Sequence, residues 1–234
     1  MITLAVFDIA GTTVDERDEV YRTLRAAVER EGATVSPAEL QKWMGTEKRW
    51  AIRNLMQAGG LEPTDAVVDS AYAWFLDSLR DSYRTNPPQP LPGVPEAMAV
   101  LRARGIKVAL TTGFSTEIAA PLLAGLGWTA HDGDPSATLD AVVCADMVAA
   151  GRPAPYMIHR AMEATGIQDV AQVAAAGDTA ADVLAARRAG VLSIGVLTGH
   201  MTREDFAPHP HDAIVDSVVD LLSDARFAGT GVTR

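Results

Sequence analysis

Ile2-Thr3-Leu4-Ala5-Val6-Phe7-Asp8-Ile9-Ala10-Gly11-Thr12-Thr13-Val14-Asp15 decides the fold. The run from Ile2 to Phe7 carries no charge and is too short for a helix. It is also too continuous for a half-exposed edge strand, so it reads as a strand buried on both faces. Asp8 closes that strand and is followed by a glycine and small hydroxyl residues, as at the ligand-binding edge of an open α/β sheet. An Asp that only caps the turn after a strand is the alternative reading.

Outward from this stretch, the chain changes character twice. Glu16–Glu31 is amphipathic, with Val20, Leu24, Ala27 and Val28 at helical spacing. Ser36-Pro37 opens a second helical stretch that the spacing extends over 38–58, and a third follows Gly59-Gly60 and runs to Tyr83. The prolines between Asn86 and Pro90 end the helical part. From Gly93 the pattern alternates: helix 94–104, strand 106–112, helix from about Ser115, strand 140–144, helix 155–165, strand 172–176, helix 180–189 and strand 191–197. Such alternation predicts right-handed βαβ units, hence an α/β fold with a mainly parallel sheet flanked by helices. Residues 1–15 and 87–234 are read as this α/β core, and 16–86 as an all-helical cap inserted after the first strand. Gly229–Arg234 has no core-facing pattern and is expected to fray.

Composition narrows the function. A formal charge of −10 over 234 residues disfavours nucleic acid and anionic membranes as partners, while leaving small anions in a local pocket open. The single cysteine, Cys144, sits in an apolar run and reads as a buried thiol, not a nucleophile. No secretory segment precedes the first strand, so a cytoplasmic protein is expected.

Three strands end in reactive side chains: Asp8, Thr112, and Asp178 with Asp182. In a parallel sheet these ends converge, and the facing carboxylates call for a hard cation; Mg²⁺ suits such a site. Asp178 and Asp182 taken alone also fit a helix cap plus a first-turn acid.

Taken together, Asp8-x-x-Gly11-Thr12-x-x-Asp15, Thr112, Gly151-Arg152-Pro153-x-Pro155 and Gly177-Asp178-x-x-x-Asp182 resemble the four motifs of the haloacid dehalogenase superfamily. Ala10 stands where that pattern has a second Asp, Arg152 where it has a Lys, and Lys48 follows Met44-Gly45-Thr46-Glu47 in the helical insert. This combination resembles the phosphonoacetaldehyde hydrolase branch. There, a cap lysine forms a Schiff base with an aldehyde substrate. The resemblance implies Asp8 as nucleophile and Lys48 as the imine-forming amine. It further implies Asp8, the Ala10 carbonyl, Asp178 and Asp182 around Mg²⁺, with Asp182 orienting a bound water. Thr112, Gly113 and Arg152 would hold the phosphoryl group, with Thr12 and Met44 lining its site, and relatives imply a homodimer. Two positions depart from the branch pattern: Ala51 replaces a His and Phe114 a Tyr.

The residues support the pairing independently. Ala10 cannot protonate an alkoxide leaving group, and an iminium at Lys48 would accept the electrons of a breaking C–P bond. In a helix through 42–57, Lys48 would share an apolar face with Met44, Ile52, Leu55 and Met56. A snorkelling lysine is the alternative, as is a plain phosphate monoesterase in which Lys48 only binds substrate. Trp43, Trp50 and Trp74 fit a partner surface or a helical core equally.

Overall fold

The computed structural model describes residues 1–229. Strand β1 (Leu4–Asp8) is buried along its whole length and lies at the centre of a six-stranded sheet. On one side it pairs with β4 (Lys107–Thr112), which pairs with β5 (Ala141–Cys144). On the other side follow β6 (Val173–Gly177), β7 (Leu192–Val196) and β8 (Ala213–Val215), and every pairing in the sheet is parallel. The chain fills one side of β1 before crossing to the other, so a crevice opens above the carboxyl end of β1. Leu4 and Val6 join the apolar cluster of α7 (Tyr156–Thr165) and α8 (Ala180–Ala189). Ala5 and Phe7 join a second cluster with α5 (Val94–Ala103), as the two-residue period of a strand requires.

Helices α1 (Glu19–Glu29), α2 (Pro37–Lys42), α3 (Lys48–Ala58) and α4 (Asp65–Thr85) occupy the inserted segment. The chain enters and leaves it through β2 (Val14–Asp15) and β3 (Gln89–Pro90), a short antiparallel pair that in the sequence alone looks like plain connections. Beyond α5 come α6 (Thr116–Gly125) and the one-turn α9 (Arg203–Phe206). Among the described residues, no helix is long and apolar enough to cross a membrane.

Three expectations need correction. The helix expected over 38–58 is two helices broken at 43–47, where Gly45 adopts φ +74° and the Glu47 side chain caps α3 by accepting from the Arg49 and Trp50 amides, both at 2.8 Å. Strand β8 has no counterpart among the expected strands; three half-buried residues give too short a pattern to read. Gly229 does not fray but is buried against Arg104, and the rest of that expectation, 230–234, falls outside the described residues.

Candidate active site

Asp8 is the last residue of β1, and the turn after it is built to hold it. The Thr13 hydroxyl donates to the carbonyls of Asp8 (2.9 Å) and Ile9 (3.2 Å). Gly11 takes φ +84°, and a Cβ there would lie 2.6 Å from Asp178 Oδ2, so both conformation and space demand glycine. The Thr12 hydroxyl donates to Asp178 Oδ1 at 2.8 Å. Thr12 therefore orients Asp178 and does not present its hydroxyl to a phosphate.

Asp8, Asp178 and Asp182 are all buried and offer oxygens within 4.8 Å of one another. Arg152, also buried, reaches Asp8 Oδ1 at 2.5 Å, Asp182 Oδ1 at 2.6 Å and the Thr111 hydroxyl at 2.7 Å. Asp182 Oδ2 closes a capping box on α8, accepting from the Thr179 amide at 3.0 Å. Both Asp182 oxygens are thus engaged, whereas Asp8 and Asp178 each keep one free of those partners. Burial raises the Asp8 carboxyl to about 6, with Arg152 opposing and Asp182 adding to the shift. Asp178 is raised well above the carboxylate range by burial and by its two acidic neighbours. One guanidinium against three carboxylates leaves an excess negative charge that a divalent cation would neutralise, so the donor set fits Mg²⁺.

Above this floor lies a cavity of about 300 Å³ whose walls include Ala10, Met44, Lys48, Thr112, Gly113 and Tyr21. The Thr112 hydroxyl accepts from the Phe114 amide at 3.1 Å, so its own hydrogen can point into the cavity. Gly113 meets the 43–47 loop so closely that an added Cβ would collide with the carbonyls of Gly45 and Thr46.

Lys48 is the first residue of α3, only 3% exposed, and not in mid-helix as expected. Its Nζ donates to the Thr46 carbonyl at 3.0 Å and lies 5.5 Å from the centre of the Phe114 ring. Ile52, Leu55 and Met56 still bury the face beneath it, whereas Met44 reaches the cavity from the loop and not through helical spacing. Burial lowers the amine to about 8, against the opposing pull of Asp8. A snorkelling lysine would carry its ammonium into water; this one does not.

Three residues of the site escape a reading of the sequence. Thr111 holds Arg152 from a strand position that looks like ordinary core. Glu16 is a buried carboxylate on the cavity wall, and His200, also on the wall, pairs with Asp18 at 2.7 Å. No motif marks any of them. Cys144 is buried and its thiol pushed up to about 11, in keeping with an inert side chain. Trp43 and Trp74 pack against the apolar core, Trp43 edge-on to the exposed Trp50.

Comparison with known proteins gives these features a context. The family model for haloacid dehalogenase-like hydrolases matches residues 2–190. The phosphonoacetaldehyde hydrolase of Parabacteroides distasonis is 39% identical over 213 residues, covering 85% of this chain and 77% of that one. A phosphoglycolate phosphatase of Agrobacterium fabrum is 32% identical over 201 residues, covering 84% and 81%. Among solved structures, a hydrolase from Pseudomonas syringae superimposes with a TM-score of 0.84 at 20% identity, covering 97% of this chain and all of that one, a likeness of fold.

Proposed function

This chain belongs to the haloacid dehalogenase-like hydrolases, and from that premise we propose that it hydrolyses the carbon–phosphorus bond of a 2-oxoalkylphosphonate, phosphonoacetaldehyde or a close relative. One observation carries the reading: a buried amine at Lys48, lowered by burial to about 8, shares a cavity with Asp8, while Ala10 offers no acid for an alkoxide leaving group.

The chemistry follows from the needs of the bond. A carbanion is a poor leaving group, and an imine between Lys48 and the substrate carbonyl lets the C–P electrons collapse into an enamine. Asp8 attacks phosphorus in line and becomes an aspartyl phosphate that water then hydrolyses. Arg152, held by Thr111 and paired with Asp8, keeps that carboxylate ionised and in place. The Thr112 hydroxyl and the Gly113 amide donate to phosphoryl oxygens. Asp8, Asp178 and the Ala10 carbonyl would hold Mg²⁺, with Asp182 behind them; the ion supplies charge neutralisation between an anionic nucleophile and an anionic substrate. Residues 16–86 act as a cap that brings Lys48 over a core formed by 1–15 and 87–234, with substrate exchange requiring the two to part.

The test is chemical trapping. Borohydride added with phosphonoacetaldehyde or a 2-oxoalkylphosphonate should leave a substrate-sized adduct on Lys48, found by peptide mass spectrometry. The second reading, a phosphate monoesterase, draws on the similarity to the phosphoglycolate phosphatase. It predicts no adduct and faster turnover of small phosphate esters than of any oxophosphonate.

A further inference from the structure

Imine formation moves protons several times, and the cavity's obvious candidates for that work are absent. Ala10, Ala51 and Phe114 carry no exchangeable proton. Asp8 and Asp178 are engaged by Arg152 and Thr12. The Tyr21 hydroxyl donates to Gln41 at 3.0 Å, and His200 is an exposed group paired with Asp18. Asp15 is exposed and its carboxylate accepts from the Arg17 amide at 2.9 Å, which leaves Glu16 as the buried acid on the wall.

We infer that Glu16 is the proton shuttle for imine formation at Lys48. It follows β2 directly, is 7% exposed and lines the same cavity as the lysine. Its carboxylate accepts from the Val20 amide through Oε2, 2.7 Å, at the start of α1, and the buried Tyr83 hydroxyl lies beside it. The charged and titratable groups facing it are Lys48 from α3, Tyr83 from α4, and Asp18 and Glu19 on its own stretch. Burial is the largest influence and raises its carboxyl to about 7, so it can both take and give a proton at neutral pH.

The proton inventory closes. Glu16 carboxylate takes a proton from the Lys48 ammonium through a bridging water, since the two share the cavity without pairing directly, and the freed amine adds to the substrate carbonyl. The carboxylic acid protonates the resulting alkoxide, and the carboxylate then removes a proton from the nitrogen to leave a neutral carbinolamine. A last transfer from Glu16 to the hydroxyl expels water as the nitrogen lone pair forms C=N⁺, and Glu16 ends as the carboxylate it began as. No oxidant or further reactant enters.

This inference rests on the Lys48 imine proposed above, so the experiment separates the two. In an Asp8→Asn background, where phosphoryl transfer is blocked, phosphonoacetaldehyde is added and borohydride-trapped adduct is followed over time. Glu16→Gln keeps an oxygen for the Val20 amide but cannot titrate. It should slow the approach to the final adduct level by about 100-fold or more, leave that level unchanged and abolish a pH dependence centred near 7. An unchanged rate with normal adduct would overturn the role of Glu16 and leave the imine standing. A lowered final level with the pH dependence intact would show a merely structural effect on Lys48, and would likewise overturn the shuttle while sparing the imine. No adduct at Lys48 with Glu16 present would remove the imine and this role together.

Discussion

A lysine ammonium that is 3% exposed costs the fold stability, and this gives Lys48 a signature separate from activity. Its amine titrates near 8 in the folded chain against an ordinary 10.5. Below pH 8 both states hold the proton and the folded state bears the full desolvation cost. Between 8 and 10.5 the unfolded state binds a proton that the folded state lacks, so stability from this group rises with pH across that window. Lys48→Met should therefore abolish adduct formation while stabilising the protein by up to ~3 kcal/mol at pH 7. That gain should shrink from pH 8 to 10.5, as measured by paired urea titrations; a loss of stability at pH 7 would contradict the reading of the site as a strained, functional lysine. The sequence makes Lys48 and the Asp8, Asp178 and Asp182 cluster legible because motif spacing survives folding. It hides Glu16 and Thr111 because what marks them lies 32 and 41 residues away, a shared cavity with Lys48 and a hydrogen bond from Arg152 respectively.

At the scale of elements, the loop between α2 and α3 does what a continuous helix could not. Breaking the helix at Gly45 lets Thr46 turn its carbonyl toward both Lys48 Nζ and Gly113, and places Lys48 at the positive end of the α3 dipole, which further disfavours an ammonium. Helical periodicity runs straight through this break because Lys48, Ile52, Leu55 and Met56 are buried in either case. The glycine and the Glu47 cap are the local signals against a continuous helix, and an apolar stripe outweighs them. The fit of this loop on Gly113 predicts a substitution effect. Gly113 has no left-handed φ, so Gly113→Ala strains nothing locally, yet its methyl must displace the Thr46 carbonyl from above the floor. A 10- to 100-fold fall in kcat/KM for oxophosphonates is expected, with a lowered melting temperature because the atoms displaced are backbone. Undiminished turnover would mean that the loop does not need to seat there during catalysis.

Across the whole molecule, the helical segment and the sheet-bearing part share a buried apolar cluster, and the polar groups that join them outside the cavity hold them lightly. Arg80 pairs with Glu117, Tyr72 donates to Ser115 Oγ at 3.3 Å, and His200 meets Asp18. These polar contacts are exposed or long, each worth at most about 1 kcal/mol, so what resists parting the two is the apolar packing they share. Arg17 and Asp18, with φ of +55° and +60°, put consecutive left-handed non-glycine residues beside one of the two crossings, where a change of backbone angle would relieve strain. A ligand that binds both sides of the cavity then decides the balance. Orthovanadate with Mg²⁺ occupies the floor as a phosphoryl mimic; at 100 times its dissociation constant it should stabilise the closed arrangement by about 2.7 kcal/mol. Amide hydrogen exchange should accordingly slow in 43–48 and 14–20 as well as in the floor segments 8–13 and 177–182. Protection confined to the floor would mean that the seating of the Thr46 carbonyl over Gly113 is indifferent to the ligand, and Lys48 would have to reach its substrate without closure.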